Sequence, residues 1–147
     1  MKRYDRLIFV SSSDTSVGPM AEAILQSKYL LEELEITSKG VVLFPEPINP
    51  KAEAILVSNG LTMKDHMSDP LVKEDAGERT LLLAVSEEVK QKVRTEFGDE
   101  FADSMQVLNT FVGVPQEIFN PWRFSGRLWA VFYRTGDIDF KAGSTAQ

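Results

Sequence analysis

Leu7-Ile8-Phe9-Val10 is an uninterrupted apolar run that gives way at once to small polar residues, Ser11, Ser12, Ser13, Asp14, Thr15 and Ser16. Val17-Gly18-Pro19 then leads into the helix formers Met20-Ala21-Glu22-Ala23. A run that is apolar at every position fits a strand covered on both faces, as in parallel sheets. A parallel strand needs a crossover to reach its neighbour, and the helix that starts here supplies one. The first turn of such a helix carries free N–H groups and the positive end of its dipole, so residues 11–18 form a ready anion site. Pro19 fits the first helical position, where its missing N–H costs nothing.

The chain then repeats this alternation. Residues 5–11 read as the first strand and 19–33 as a helix, with Met20, Ala23, Ile24, Tyr29, Leu30 and Leu31 as its buried stripe. Glu35 to Leu43 is rich in β-branched and apolar residues and reads as the second strand. Pro45, Pro47 and Pro50 forbid regular structure between them, and Pro50 opens a helix that stops at Asn59-Gly60. A loop through His66 and an acidic turn near Pro70–Gly77 lead to the third strand, Thr80 to Val85. Ser86 caps the next helix, which buries Val89 and Val93 and closes at Phe97-Gly98. Met105 to Phe111 reads as the fourth strand, and the loop after it carries Asn120-Pro121-Trp122.

This order implies an α/β fold with three layers, α/β/α, around a four-stranded parallel sheet. Open sheets of this kind bind ligands at the carboxyl ends of their strands, and the loop 11–18 lies at such an end. A length of 147 residues suits a single domain, 1–147. A net charge of −6 argues against a nucleic-acid partner. No apolar run approaches the ~20 residues of a membrane span, and Met1 to Arg6 lacks a signal peptide's apolar core, so a cytoplasmic protein is expected. There is no cysteine, which excludes disulfides, thiolate metal sites and cysteine-based catalysis. A single histidine, His66, makes no metal site, and no cofactor is implied.

The opening stretch resembles the phosphate-binding loop of the low-molecular-weight protein-tyrosine phosphatases. That loop reads strand, Cys, five residues, Arg, Ser, then Pro-Met-Ala-Glu-Ala. Laid on it without gaps, Phe9-Val10 and Pro19-Met20-Ala21-Glu22-Ala23 match. The nucleophilic Cys falls on Ser11, the phosphate-gripping Arg on Val17 and the Ser beside it on Gly18. The resemblance extends to Trp122 and implies the family's fold. It passes through Gly60-Leu61 to His66, through Leu81–Val85, where a family Asp lands on Ser86, and through Met105-Gln106-Val107-Leu108 with Phe111. The family's general acid, an Asp before Pro and an aromatic, falls on Asn120, while Trp122 keeps the aromatic pocket wall. A neutral amide has no acidic proton to give a leaving oxygen.

A serine hydroxyl is a poor nucleophile without an adjacent base, and the resemblance does not bring His66 to Ser11. Losing the guanidinium removes bidentate, charge-assisted bonds worth ~2–5 kcal/mol. Asp14, where the family usually has Asn, is expected to add a negative charge facing any anion in the loop. The implied protein is a pseudophosphatase that binds or regulates through its pocket or surface, with a protein or phospho-ligand as partner. Two other readings stay open. One is an altered hydrolase or phosphatase using Ser11. The other is a structural subunit that self-associates through Leu128-Trp129-Ala130-Val131-Phe132-Tyr133, expected as a helix from Arg127 to Arg134, with a disordered end from Ala142. In the blander reading of the loop, Ser11 to Ser16 are a polar turn whose hydroxyls satisfy their own backbone.

Overall fold

The computed structural model describes residues 4–28, 35–41 and 44–111. Asn120, Trp122, the helix expected from Arg127 and the end from Ala142 lie outside the described residues, as do Tyr29, Leu30 and Leu31. Four parallel strands form one sheet: β1 (Arg6–Ser11), β2 (Glu35–Gly40), β3 (Thr80–Ala84) and β4 (Gln106–Val107). Their spatial order is β2-β1-β3-β4. The helices are α1 (Val17–Lys28), α2 (Pro50–Ser58), α3 (Glu87–Phe97) and the short α4 (Asp99–Asp103) and α5 (Leu108–Phe111). The expected three-layer α/β/α arrangement with a four-stranded parallel sheet is present.

β1 is the spine of the domain. Leu7, Ile8, Phe9 and Val10 are all completely buried, because β2 and β3 flank the strand and helices cover the sheet. Helix α1 packs on β1 and β2 through Met20, Ala21, Ala23, Ile24 and Leu25, and α3 packs on β3 through Val89 and Val93. α4 closes against α3, with the rings of Phe97 and Phe101 stacked at 5.0 Å between centroids. Gly98 joins these two helices at φ 98°, a left-handed value that glycine adopts without steric cost. Ser86 caps α3 as expected, its Oγ accepting the Val89 N–H at 3.3 Å, and Asn49, which the sequence reading did not single out, caps α2 by accepting the Lys51 N–H at 2.8 Å.

Three boundaries differ from the sequence reading. α1 starts at Val17, so Pro19 is its third residue; the Met20 N–H makes the first intrahelical bond, to the Ser16 carbonyl at 3.0 Å. The third position, like the first, needs no N–H, so proline is equally harmless there. β2 stops at Gly40, where the chain meets the loop: the Val41 N–H makes the last ladder bond, to the Ser11 carbonyl at 3.1 Å, and shares it with the Ser12 carbonyl at 3.0 Å. The fourth strand is only Gln106–Val107, and Leu108 to Phe111 turn helical. β3 pairs with β4 only through Leu83 and Ala84. Ser86, two residues beyond Ala84, is already capping α3, so β3 offers a longer β4 little to pair with.

Leu82 is almost wholly buried, whereas Val57 on α2 is exposed. Urea denaturation is expected to show a loss of about 2–5 kcal/mol for Leu82→Ala. Val57→Ala should stay within about 0.5 kcal/mol of the wild type.

Candidate functional site

Ser11 ends β1, residues 12–16 form the loop, and Val17 opens α1. After β1 the chain crosses to β2 on one side and later to β3 on the other, so this loop emerges where the strand order switches. Its shape is fixed largely by backbone. The Val41 N–H holds the carbonyls of Ser11 and Ser12, and the Asn49 N–H donates to the Thr15 carbonyl at 2.8 Å. The Asp14 N–H donates to Ser11 Oγ at 3.1 Å, and the hydroxyls of Ser13 and Thr15 are 2.7 Å apart. Gly40 lies so close beneath that a Cβ there would meet Ser13 C at 3.0 Å and Asp14 N at 3.1 Å.

Asp14 sits at the centre of this arrangement. It is fully buried and has φ 58°, the left-handed region that Asp and Asn enter more readily than most residues. Nε2 of His66 lies 2.9 Å from the Asp14 carbonyl and 3.2 Å from its Oδ2. The same Oδ2 accepts the Asp69 N–H at 2.9 Å, while Oδ1 has no hydrogen-bond partner. The sequence reading put this carboxylate in front of a bound anion. It turns instead to His66 and Asp69 and does not line the cavity at the loop. His66 therefore serves Asp14 and not Ser11, in line with the expectation that it supplies no base to that serine.

Burial by itself pulls the His66 pKa down. The hydrogen bond to the Asp14 side chain, the charge of Asp14, the bond to its backbone and the charge of Glu22 outweigh that, and the net shift is upward. Glu22, on α1, accepts from Ser38 Oγ at 2.9 Å. Its pKa is raised because burial outweighs the help of Ser38, of His66 and of Gln26.

A cavity of about 170 Å³ opens at the loop, lined by Ser11, Ser12, Ser13, Ser16 and Val17 together with Val85, Ser86, Glu88 and Val89. Of the residues proposed from sequence, Asp14, Thr15 and Gly18 are not in its wall. Gly18 is packed behind Ser11: a Cβ there would come within 2.9 Å of Ser11 Oγ and 3.4 Å of Asp14 Oδ1. The rim from α3 escaped the sequence reading. Glu88 lines the cavity, and Lys92 Nζ donates to Ser12 Oγ at 2.9 Å, bringing one charge of each sign to the mouth. Their positions, one turn apart on a helix that starts beyond β3, are the only signal the sequence offers. Among the described residues no group of three or more potential ligands is placed to hold a metal. None of their helices is long and apolar enough to cross a membrane.

The site can thus offer hydroxyls, N–H groups at a helix end and one lysine, against one glutamate. It places apolar Val17, almost fully buried, where the resemblance calls for a guanidinium. Gly40→Ala should push the loop off the end of β2 and lower stability by about 1–3 kcal/mol. The amide signals of Ser13 and Asp14 should move most in the NMR spectrum of that variant.

The model of the family described as low molecular weight phosphotyrosine protein phosphatase matches residues 6–133. A protein-arginine-phosphatase of Bacillus subtilis is 28% identical over 120 residues, 79% of each chain. The structure of the YwlE arginine phosphatase from Geobacillus stearothermophilus superposes with a TM-score of 0.76 at 27% identity, over 88% of this chain and 89% of that one. A cysteine-to-serine mutant of YwlE with a phosphorylated active-site serine superposes at 0.74 and 25% identity, over 88% and 92%. With the sheet order, the loop and these likenesses together, the chain belongs to the low molecular weight phosphotyrosine protein phosphatase family.

Proposed function

We propose that this member of the family has no phosphatase turnover and acts as a binding or regulatory protein through the loop and the surface around it. The observation that carries this reading is the content of the cavity. Ser11 stands where the family has its thiol, with its oxygen engaged by the Asp14 N–H, and Val17 stands where it has its arginine. A hydroxyl attacks phosphorus only when a base takes its proton. The chain's single imidazole, on His66, is held at Asp14 instead. Without the guanidinium, the described residues offer charge building on the equatorial phosphoryl oxygens only N–H dipoles and Lys92 at the rim. Asn120, at the acid's place in the sequence, has no proton for the leaving group.

What remains suits binding better than chemistry. The loop still leads into the N-terminus of a helix of 12 residues, whose free N–H groups favour anions. Inorganic phosphate or a phosphorylated arginine or tyrosine is the ligand class that such a site accepts, with a protein carrying that group as partner.

One observation favours a second reading, in which Ser11 accepts a phosphoryl group and keeps it. In the YwlE mutant, a serine in the active site is phosphorylated. On this chain the step would form a bond from Ser11 Oγ to phosphorus and break the one to the leaving group, which takes the serine's proton. The phosphoserine then persists, because among the described residues no base is placed at Ser11 to activate a water.

Steady-state assays on phosphoarginine, phosphotyrosine and an aryl phosphate should give no saturable turnover; turnover abolished by Ser11→Ala would overturn the proposal. Intact mass after the same incubations decides the second reading, which requires one added phosphoryl group that Ser11→Ala prevents. Phosphate at a hundred times its dissociation constant should stabilise the fold by about 2.7 kcal/mol in a thermal melt at constant ionic strength. A flat response would move the binding role from the cavity to the surface.

A further inference from the structure

We propose that Lys92, reaching the cavity from α3, is the cation that grips a ligand's phosphoryl group in this chain, with the hydroxyls of Ser11, Ser12 and Ser86 as its neutral partners. This deepens the binding reading above and rests on it: the anion is held from the helix after β3 and not from the position of Val17.

The hydroxyls come first. A serine oxygen accepts hydrogen bonds and also carries one hydrogen to give. Ser11 Oγ accepts the Asp14 N–H at 3.1 Å, Ser12 Oγ accepts from Lys92 Nζ at 2.9 Å, and Ser86 Oγ accepts the Val89 N–H at 3.3 Å. All three serines line the cavity. With nitrogen donors on their oxygens, their own hydrogens are left over, and none of the three gives its hydrogen to another described residue. Ser11 and Ser86 are only 7% and 9% exposed, so bulk water reaches these spare donors poorly. A wall of uncommitted O–H groups suits a ligand with several acceptor oxygens, because a buried donor left unmade is costly.

The placement of charge points to the same ligand. Glu88 and Lys92 stand four residues apart on α3 with the glutamate first, the order in which such a pair attracts best along a helix. The ammonium nevertheless crosses to Ser12, a neutral hydroxyl. Arg6, Lys39, Arg79 and Arg94 are each paired with a carboxylate, and His66 is held at Asp14. Lys92 has no such partner among the described residues, so its charge stands uncommitted at the mouth of the cavity. An ammonium is a point charge on a flexible stem, and it can follow an oxyanion bridging loop and helix without the fixed fork of a guanidinium.

Two features of the wall set the strength of this grip. Val17, Val85 and Val89 supply an apolar lining, against which a charge is screened less than in open water. Glu88 lines the same cavity and repels an anion, so it opposes Lys92 and limits the charge that the site tolerates.

The test is a titration of inorganic phosphate into the full-length protein at constant ionic strength, followed by NMR at the Ser12 amide and the Lys92 side chain. The wild type should saturate. Lys92→Met should raise the dissociation constant about tenfold, as expected for one lost charge-assisted bond, and Lys92→Arg should restore most of the affinity. Lys90→Met removes the same charge from the same helix but outside the cavity wall, and should leave the constant unchanged. Glu88→Gln should tighten binding about threefold. Without phosphate, the exposed Lys92 should be replaceable by Met with no change in melting temperature.

The inference is overturned, and the binding reading stands, if the wild type binds phosphate and Lys92→Met binds it as tightly. It is equally overturned if Lys90→Met weakens binding as much, which would make the effect one of net charge. A drop in the melting temperature of phosphate-free Lys92→Met, with no rescue of binding by Lys92→Arg, would overturn it in favour of a structural tie to Ser12. A wild type that ignores phosphate removes the reading of the loop as an anion binder, and this inference with it.

Discussion

The loop after β1 is held in place by hydrogen bonds that do not depend on the residues performing family chemistry. The Val41 N–H clamps the carbonyls of Ser11 and Ser12, the Asn49 N–H clamps that of Thr15, and Gly40 lets the turn lie directly on the end of β2. Backbone amides are the same in every sequence, so a thiol can become a hydroxyl and a guanidinium an isopropyl group without undoing the turn. This separation of shape from reagents explains how the chain keeps the family's fold while holding Ser11 and Val17 at positions where phosphate chemistry asks for other groups.

Most of the architecture was legible in the residues. The uninterrupted apolar runs at Leu7–Val10 and Leu81–Val85 announced buried parallel strands, and Pro50 and Ser86 announced helix starts. The misread boundaries were set by partners far along the chain. β2 ends at Gly40, where the N–H of Val41 is shared between the carbonyls of Ser11 and Ser12, 30 and 29 residues earlier, and β4 is short because β3 gives way to the cap of α3 soon after Ala84. Local propensity carries no record of either.

The cavity was legible in part. Serines 11, 12, 13 and 16 and Val17 were found by the strand–loop–helix pattern, since one short segment supplies them all. Glu88 and Lys92 were not, because they reach the loop from a helix some 75 residues away, by a packing that only the assembled sheet specifies. Asp14 was found but misdirected. Its sequence position says that it belongs to the loop, whereas its left-handed backbone and the imidazole 52 residues on turn its carboxylate out of the cavity. Charge at a binding site depends on such orientations as much as on composition.

On the proposed reading, side chains and not the scaffold separate this chain from a working phosphatase. The most direct measurement is turnover of phosphoarginine and an aryl phosphate by the folded variant carrying Ser11→Cys, Val17→Arg and Asn120→Asp. Saturable hydrolysis is expected in that variant, lost again when position 11 alone is returned to serine. A variant that folds like the wild type yet neither turns over substrate nor gains affinity for phosphate would show that the loop itself no longer has the geometry of a phosphate cradle.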